Sequence, residues 1–328
     1  MASFLFFLFS WFLCILACYF VLRSISIKLV RFIFAFFSCT LLTYFTTQNV
    51  PQFHAASIFI VSLCWLMSMH LIAMTTFSRK PLLTFQSFSL KILWIFFPIL
   101  PKKPAENRDS LIYCIMLMFI KIFINHWIYR WSIQCDMGLT LSKIFMLYLS
   151  IMTISYIFDA QMIIVRIATQ DKYTLESYTD SPILSLSLGE FWGQRYNRIV
   201  HKVLREAIFE PIRSELSSSN IAGFMTFIVS GLLHVHVCIA VFQNTSSAFP
   251  TFMFFIIHGI GCCLEKIMKI KFPKFIRWII THIFILITSP LMFQPFIEKG
   301  SPFLMLNPPL FIDVEWTPKL PVPNFCPQ

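Results

Sequence analysis

The strongest constraint on this chain is a series of apolar runs about as long as a bilayer is thick, separated by short basic connectors. A helix needs about 20 apolar residues to cross a membrane, and candidate runs lie at roughly 3–22, 32–47, 53–77, 110–129, 144–165, 220–242, 250–265 and 278–297. Two of these, 32–47 and 250–265, are short for a full span. The run 84–100 is broken by Lys91 and bounded by Pro81 and Pro98, which predicts a re-entrant or interfacial segment. Only 12% of residues are charged and 57% are hydrophobic, with 39 Phe. A soluble domain carries about 25% charged residues, so water is not the main solvent here. The expected fold is all-α: a polytopic transmembrane helix bundle of about eight spans (seven to nine), forming one integral-membrane domain over residues 1–328.

Charge sets the expected orientation. The net charge of +11 sits mostly in the connectors, a pattern that orients a chain in a membrane and meets anionic lipid rather than tracking nucleic acid. The connectors 23–31, 78–109, 166–219 and 266–277 are basic near their membrane ends, whereas 48–52 and 243–249 carry no Lys or Arg. Eight spans with a lumenal N-terminus place every strongly basic connector in the cytosol. Arg130 and Lys143 then fall on the lumenal side against the trend. The first twenty residues lack a basic leader region and merge into Arg23, Lys28 and Arg31, which reads as an uncleaved anchor. The sequon Asn244-Thr245-Ser246 falls on the lumenal side, where it is a candidate for glycosylation. Asp159 is expected to mark the end of its span, and the ten cysteines, with no Cys-x-x-Cys pair, read as small buried hydrophobes rather than metal ligands or a disulfide framework.

The long connector before residue 220 ends in a helical pattern. At 100° per residue, Arg195, Arg198, Lys202 and Arg205 share an arc of about 80°, opposite Ile199, Val200, Val203, Leu204, Ala207 and Ile208. This predicts an amphipathic helix on the cytosolic membrane surface, kinked or ended by Pro211, with Asn197 on its apolar side.

Two polar features stand out inside apolar surroundings. His234 lies 14 residues beyond Asn220, about 21 Å along a helix and so near the bilayer midplane. An ionisable residue at that depth faces the bundle interior or a cavity and carries function by default. His236 lies about 200° away around the helix and reads as a hydrogen-bonding bystander. Ser230 and Gly231 are small enough to admit a neighbouring helix beside His234. The second feature is Phe191-Trp192-Gly193-Gln194-Arg195-Tyr196-Asn197, which on its own reads as an interfacial aromatic anchor.

"SLGEFWGQRYN", then "FIVSGLLHVHV", then "FFIIHGIGCCLE" resemble, in that order, the motifs of the plant-type wax synthase branch of the membrane-bound O-acyltransferase superfamily. The specific match covers residues 185–266. The resemblance implies His234 as the core histidine, Asn197 as the motif asparagine, and His258-Gly259 and Glu265 as the later pair. The chain departs from the pattern at Gln194, where the family often has Arg, at Tyr196, where it has Trp, and at Val235, where an acid usually follows the histidine.

The implied reaction is transfer of a fatty acyl group from acyl-CoA to a long-chain alcohol, giving a wax ester, at the endoplasmic reticulum. A neutral imidazole, with an ordinary pKa near 6.5, suits removal of the alcohol proton, which fits His234 as general base. Asn197 is expected to hydrogen-bond the thioester carbonyl or orient the base. Trp192, His258 and Glu265 are expected near substrate. Arg195, Arg198, Lys202 and Arg205 face either the phosphates of CoA or anionic lipid headgroups. No cofactor or metal is expected, acyl-CoA being a co-substrate, and the expected partners are acyl-CoA, a lipid alcohol and membrane lipids. A sterol, diacylglycerol or secondary-metabolite hydroxyl stands as the alternative acceptor. Outside acyl transfer, a transporter or receptor and an inactive relative stand as competing classes.

Overall fold

The structure is a computed structural model that describes residues 2–77, 84–101, 109–134, 155–268, 272–298 and Pro321. Helix α1 (Ala2–Leu16) continues through a π-helical turn, Ala17–Val21, and a 3-10 turn, Leu22–Ser24. Then come α2 (Lys28–Thr47), α3 (Ala55–Thr76), α4 (Phe85–Leu93), β1 (Ile99–Pro101), α5 (Leu111–Gln134), α6 (Tyr156–Ala168) and β2 (Tyr173–Leu175). After a looped stretch come α7 (Arg198–Leu204), α8 (Glu210–Leu216), α9 (Ser219–Ala240), α10 (Ala248–Met268) and α11 (Lys274–Glu298). Among the described residues seven helices are long and apolar enough to cross a membrane, so the chain is a multi-pass, all-α integral membrane protein.

Two expected spans are longer than the apolar runs suggested. α2 has 20 residues and α10 has 21, because both helices continue into their basic ends. Lys28, Arg31 and Lys266 sit within a turn of those ends, where a long side chain reaches the interface while its backbone stays helical. Most of the 144–165 run lies outside the described residues. Its described part belongs to α6, in whose first turn Asp159 pairs with Lys121 of α5 at 2.5 Å. The 84–100 segment does not span. α4 starts at Thr84, whose hydroxyl accepts from the Ser87 amide at 3.2 Å, and the chain then enters a two-stranded antiparallel ladder pairing Ile99 with Leu175 and Pro101 with Tyr173.

The helix ends sort into two faces. Lys28 pairs with Glu215 at 2.7 Å, the Lys202 ammonium lies 3.8 Å from the Trp94 ring centre, Lys266 bonds the Ser219 hydroxyl, and Trp278 donates to the Ile183 carbonyl at 2.7 Å. These contacts gather residues 24–28, 84–101, 169–218 and 272–273 on one basic face. At the other end the Phe53 amide donates to the Val241 carbonyl at 3.1 Å, and Val50, Phe53, Val241, Phe242 and Phe296 pack together. Among the described residues, the separation of basic from uncharged connectors read from the sequence is therefore present in the fold.

α3 is the central element, with 67% of its most apolar 18-residue stretch buried against 11% for the first span. Leu71, Cys39, Phe88 and Val203 meet in the core around it, and Cys14, Cys18 and Cys39 come together where α1 packs on α2. The presence of Val203 and Ala207 in this core corrects an expectation. The apolar face of α7 packs on protein, not on lipid, because α3 offers it a surface that buries the same side chains. Pro211 does not end that stretch either. The π-turn Arg205–Phe209 runs directly into α8, with Pro211 at its second position. In α11, Pro295 leaves the Leu291 carbonyl without its helical donor, and the Thr251 hydroxyl of α10 supplies one at 3.4 Å.

Candidate active site

The motif loop between β2 and α7 is held by carboxylates at its start. Ser187 accepts from the Glu190 amide at 2.9 Å, and Glu190 reaches back to the Leu186 amide at 2.8 Å, a reciprocal cap. Burial alone would raise the Glu190 pKa, but the Leu186 amide and the Arg195 guanidinium, 2.7 Å away, outweigh it and hold the carboxyl below its ordinary range. Glu265, from α10, accepts from the Leu188 and Gly189 amides at 2.9 and 3.1 Å and so ties the loop to the bundle. A π-helical turn over Phe191–Arg195 then stacks Phe191 on Tyr196, with centroids 5.1 Å apart and planes 10° from parallel. Burial pushes the Tyr196 hydroxyl up to about 12, so it stays a neutral phenol.

Asn197 follows with φ +46°, a left-handed conformation in which asparagine is among the best tolerated non-glycine residues. Its Oδ1 accepts from the Val200 amide at 3.2 Å and caps α7. A polar residue at this position is thus explained, since Asn197 precedes the helix instead of lying on its apolar side.

His234 sits in the middle of α9. Its Nδ1 lies 2.7 Å from the Ser230 carbonyl, and a carbonyl only accepts, so Nδ1 carries the proton and Nε2 holds the lone pair. The imidazole packs against Phe255 of α10, with centroids 4.3 Å apart and planes tilted by 31°. Gly231 makes that contact possible: a Cβ there would lie 2.8 Å from Phe252 Cδ2 and 3.3 Å from Phe255 Cβ. Gly259 does the same from α10, since its Cβ would meet Phe224 and Phe227 at 3.0 Å. The small residues beside His234 admit a neighbouring helix, as the sequence indicated.

A cavity of about 940 Å³ joins these parts. It is lined by Trp192, Gln194 and Asn197 from the motif loop, by Ser230 and His234 from α9, and by Phe254 and Phe255 from α10. Its opposite end, at the basic face, is lined by Arg205, Arg213, Lys266 and Arg277 together with Ser219 and Asn220 at the start of α9. Asn197, His201, Arg205, Phe209 and Arg213 recur every four residues along one wall. A π-helical turn over Arg205–Phe209 interrupts the α-helical phase, which keeps this stripe turned to the cavity. Burial, with Arg205 and Arg198 nearby, lowers the His201 pKa below its ordinary value. A second, smaller cavity of about 90 Å³ touches His234 toward the uncharged end, between Cys238, Thr251 and Phe296.

The residues singled out from the sequence divide accordingly. His234, Asn197, Trp192, Arg205 and Glu265 line the large cavity; Arg195, Arg198, Lys202 and His258 are not part of its lining. The single basic arc does not form, because the helix starts only at Arg198. Arg195 lies before it, paired with Glu190, while Arg198 and Lys202 share Glu176 at 3.5 and 3.6 Å. His258 is fully buried: it accepts from Trp192 Nε1 at 2.9 Å and meets the Thr288 hydroxyl at 2.8 Å. His236 accepts from Trp65 Nε1 at 2.8 Å and bonds Thr47 at 3.1 Å, the bystander's part expected of it. Val235, standing where the family has an acid, is absent from the cavity lining.

Sequence reasoning missed His201, Arg213, Lys266 and Arg277. The four-residue stripe from Asn197 carries a signal for the first two. Lys266 and Arg277 reach the cavity only through the packing of α10 and α11.

Comparison with known proteins agrees with this motif arrangement. Residues 175–257 match the model of the membrane bound O-acyl transferase family. The chain is 28% identical over 203 residues to acyl-CoA–sterol O-acyltransferase 1 of Arabidopsis thaliana, covering 58% of this chain and 57% of that protein. It is 29% identical over 223 residues to the probable long-chain-alcohol O-fatty-acyltransferase 2 of the same plant, covering 61% and 62%. The probable long-chain-alcohol O-fatty-acyltransferase 7 aligns at 26% over 277 residues, 77% and 78% of the two chains. For the first two of these the match spans about three fifths of the relative's length. Family match, motif order and relatives together show that the chain is similar to the plant-type wax synthase branch of the membrane-bound O-acyltransferase superfamily.

Proposed function

We propose that this protein is an acyl-CoA-dependent O-acyltransferase that esterifies a long-chain alcohol, with His234 as general base. The observation that carries the reading is one cavity reaching from a basic mouth to the midplane imidazole, with Asn197 in its wall. The alcohol oxygen attacks the thioester carbonyl carbon as its proton passes to His234 Nε2; the carbon–sulfur bond then breaks, and the departing CoA thiolate takes that proton from His234, restoring the neutral imidazole. General-base help of this kind is worth about 10²–10⁴-fold. Asn197 spends Oδ1 on the helix cap, which leaves its amide N–H groups for the oxyanion. No covalent serine or cysteine is needed, because the thioester is already activated.

The phosphates of CoA are assigned to the mouth, where Arg205, Arg213, Lys266 and Arg277 meet the N-terminus of α9. Of the four basic residues first considered, only Arg205 belongs to this group. Arg195, Arg198 and Lys202 instead fasten the loop and α7 to the fold. Acyl-CoA on the cytosolic side and an apolar product leaving into the bilayer suit residence in the endoplasmic reticulum. A sterol acceptor is the second reading, favoured by the likeness to a sterol O-acyltransferase. Membranes carrying the protein, given labelled acyl-CoA with fatty alcohols, sterols or diacylglycerol in turn, test both. Labelled ester with long-chain alcohols is expected. Ester with sterols alone would replace the acceptor, and ester with none would overturn the proposal.

A further inference from the structure

Two histidines near His234 carry the same pattern of hydrogen bonds. In each, a Trp N–H donates to His Nδ1, which places the imidazole proton on Nε2, and Nε2 donates to a threonine hydroxyl. One is Trp65–His236–Thr47, at 2.8 and 3.1 Å; the other is Trp192–His258–Thr288, at 2.9 and 2.8 Å. Each threonine O–H donates to a carbonyl four residues back, Thr47 to Thr43 at 2.7 Å and Thr288 to Phe284 at 2.8 Å. Donor direction is therefore fixed along both chains.

Only the second chain reaches the cavity. His258 and Thr288 are buried, whereas Trp192 lies in the cavity wall. The indole packs edge-on against Phe227 and Phe254, and its centroid is 6.1 Å from that of Phe255. Phe255 is the ring against which the His234 imidazole packs, backed by Gly231. A contact series thus runs from α11 to the imidazole: Thr288, His258, Trp192, Phe255, His234. Nothing else in this series can reverse its polarity, since Trp only donates and the Phe284 carbonyl only accepts.

We infer that Thr288 and His258 are positioning residues: they lock the Trp192 indole, which through Phe255 fixes the orientation of the His234 imidazole toward the cavity. Neither needs to touch substrate. The inference rests on the proposed role of His234 for its kinetic consequence but not for its geometric one. A substituted Thr288 would leave the His258 N–H without an acceptor in a dry interior, and the indole would lose its fixed partner. Thr288→Ser retains the hydroxyl; Trp192→Phe keeps a ring and removes the donor.

The test compares the full-length protein with Thr288→Val, Thr288→Ser, Trp192→Phe and the Thr288→Val/Trp192→Phe pair, all in membranes. Turnover of labelled acyl-CoA with a long-chain alcohol is read as kcat and KM separately. A loss of about tenfold in kcat is expected for Thr288→Val and for Trp192→Phe, with KM for acyl-CoA within twofold. Thr288→Ser should recover the activity, and the pair should lose no more than either single variant. Independently of turnover, carbethoxylation of His234 by diethyl pyrocarbonate, followed by mass spectrometry, should change rate severalfold in Thr288→Val and not in Thr288→Ser. Losses that multiply in the pair would overturn the inference, as would equal damage from Ser and Val or an unchanged carbethoxylation rate. A wild-type protein that transfers no acyl group would instead overturn the proposed function, while the carbethoxylation result still decides the positioning claim.

Discussion

Asn197 shows how much one side chain can carry when the backbone cooperates. A left-handed φ, a helix cap and a place in the cavity wall all fall on this residue. Substitution separates them. Asn197→Asp keeps the cap and its tolerance of positive φ but loses the amide donor. We expect kcat to fall about 10²–10³-fold with protein level unchanged, as for other single oxyanion donors. A loss of accumulated protein without a kcat effect in the surviving fraction would assign Asn197 to folding alone. Asn244 is a second residue whose surroundings decide its fate. Its side chain is buried and accepts from the Ser246 hydroxyl at 2.7 Å and the Ser247 amide at 3.2 Å. The sequon is therefore expected to stay unmodified, and glycosidase treatment should leave the electrophoretic mobility unchanged. Val235 likewise changes meaning: the position where the resembled motif has an acid lies outside this cavity's lining, so the chemistry proposed does not run through it.

At the scale of elements, the cavity mouth depends on α7, α8, α9, α10 and α11 meeting at one end. Replacing Arg205, Arg213, Lys266 and Arg277 with Gln, singly and together, should raise KM for acyl-CoA by tenfold or more while KM for the alcohol holds. Equal effects on both KM values would point to a general loss of fold. His201 lies in the same wall, and because burial and its arginine neighbours lower its pKa, it stays neutral at and above pH 7. It adds no charge to the mouth there, so KM for acyl-CoA should be flat between about pH 8 and 7. A fall in KM across that range would show that His201 takes up a proton. The α9–α10 contact is equally exacting: Gly231→Ala must displace Phe252 and press on Phe255, an overpacking cost of about 1–3 kcal/mol. Activity should fall with it, because the displaced ring is the one beneath His234.

For the whole molecule, the bilayer explains which features the sequence disclosed. The seven described spans and the two faces follow from hydropathy and charge, since lipid forces every backbone group into a helix and every connector to a surface. The motif loop was legible as residues but not as a shape. Its π-turn and the left-handed Asn197 break the 100° periodicity on which the basic arc rests, so Arg195 falls away from its supposed partners. The amphipathic helix was read correctly as two-faced and wrongly as lipid-bound, because periodicity does not distinguish a lipid surface from α3. Arg277 carried no local signal at all; only the packing of α11 brings it to the mouth. The central claim is that His234 Nε2 takes the alcohol proton. The most direct measurement compares labelled ester formation from acyl-CoA and a long-chain alcohol in membranes holding wild-type protein or His234→Ala at equal level and with the same protease-protection pattern. The account expects ester from the wild type and none above background from His234→Ala; ester formed by that variant at the wild-type rate would contradict it.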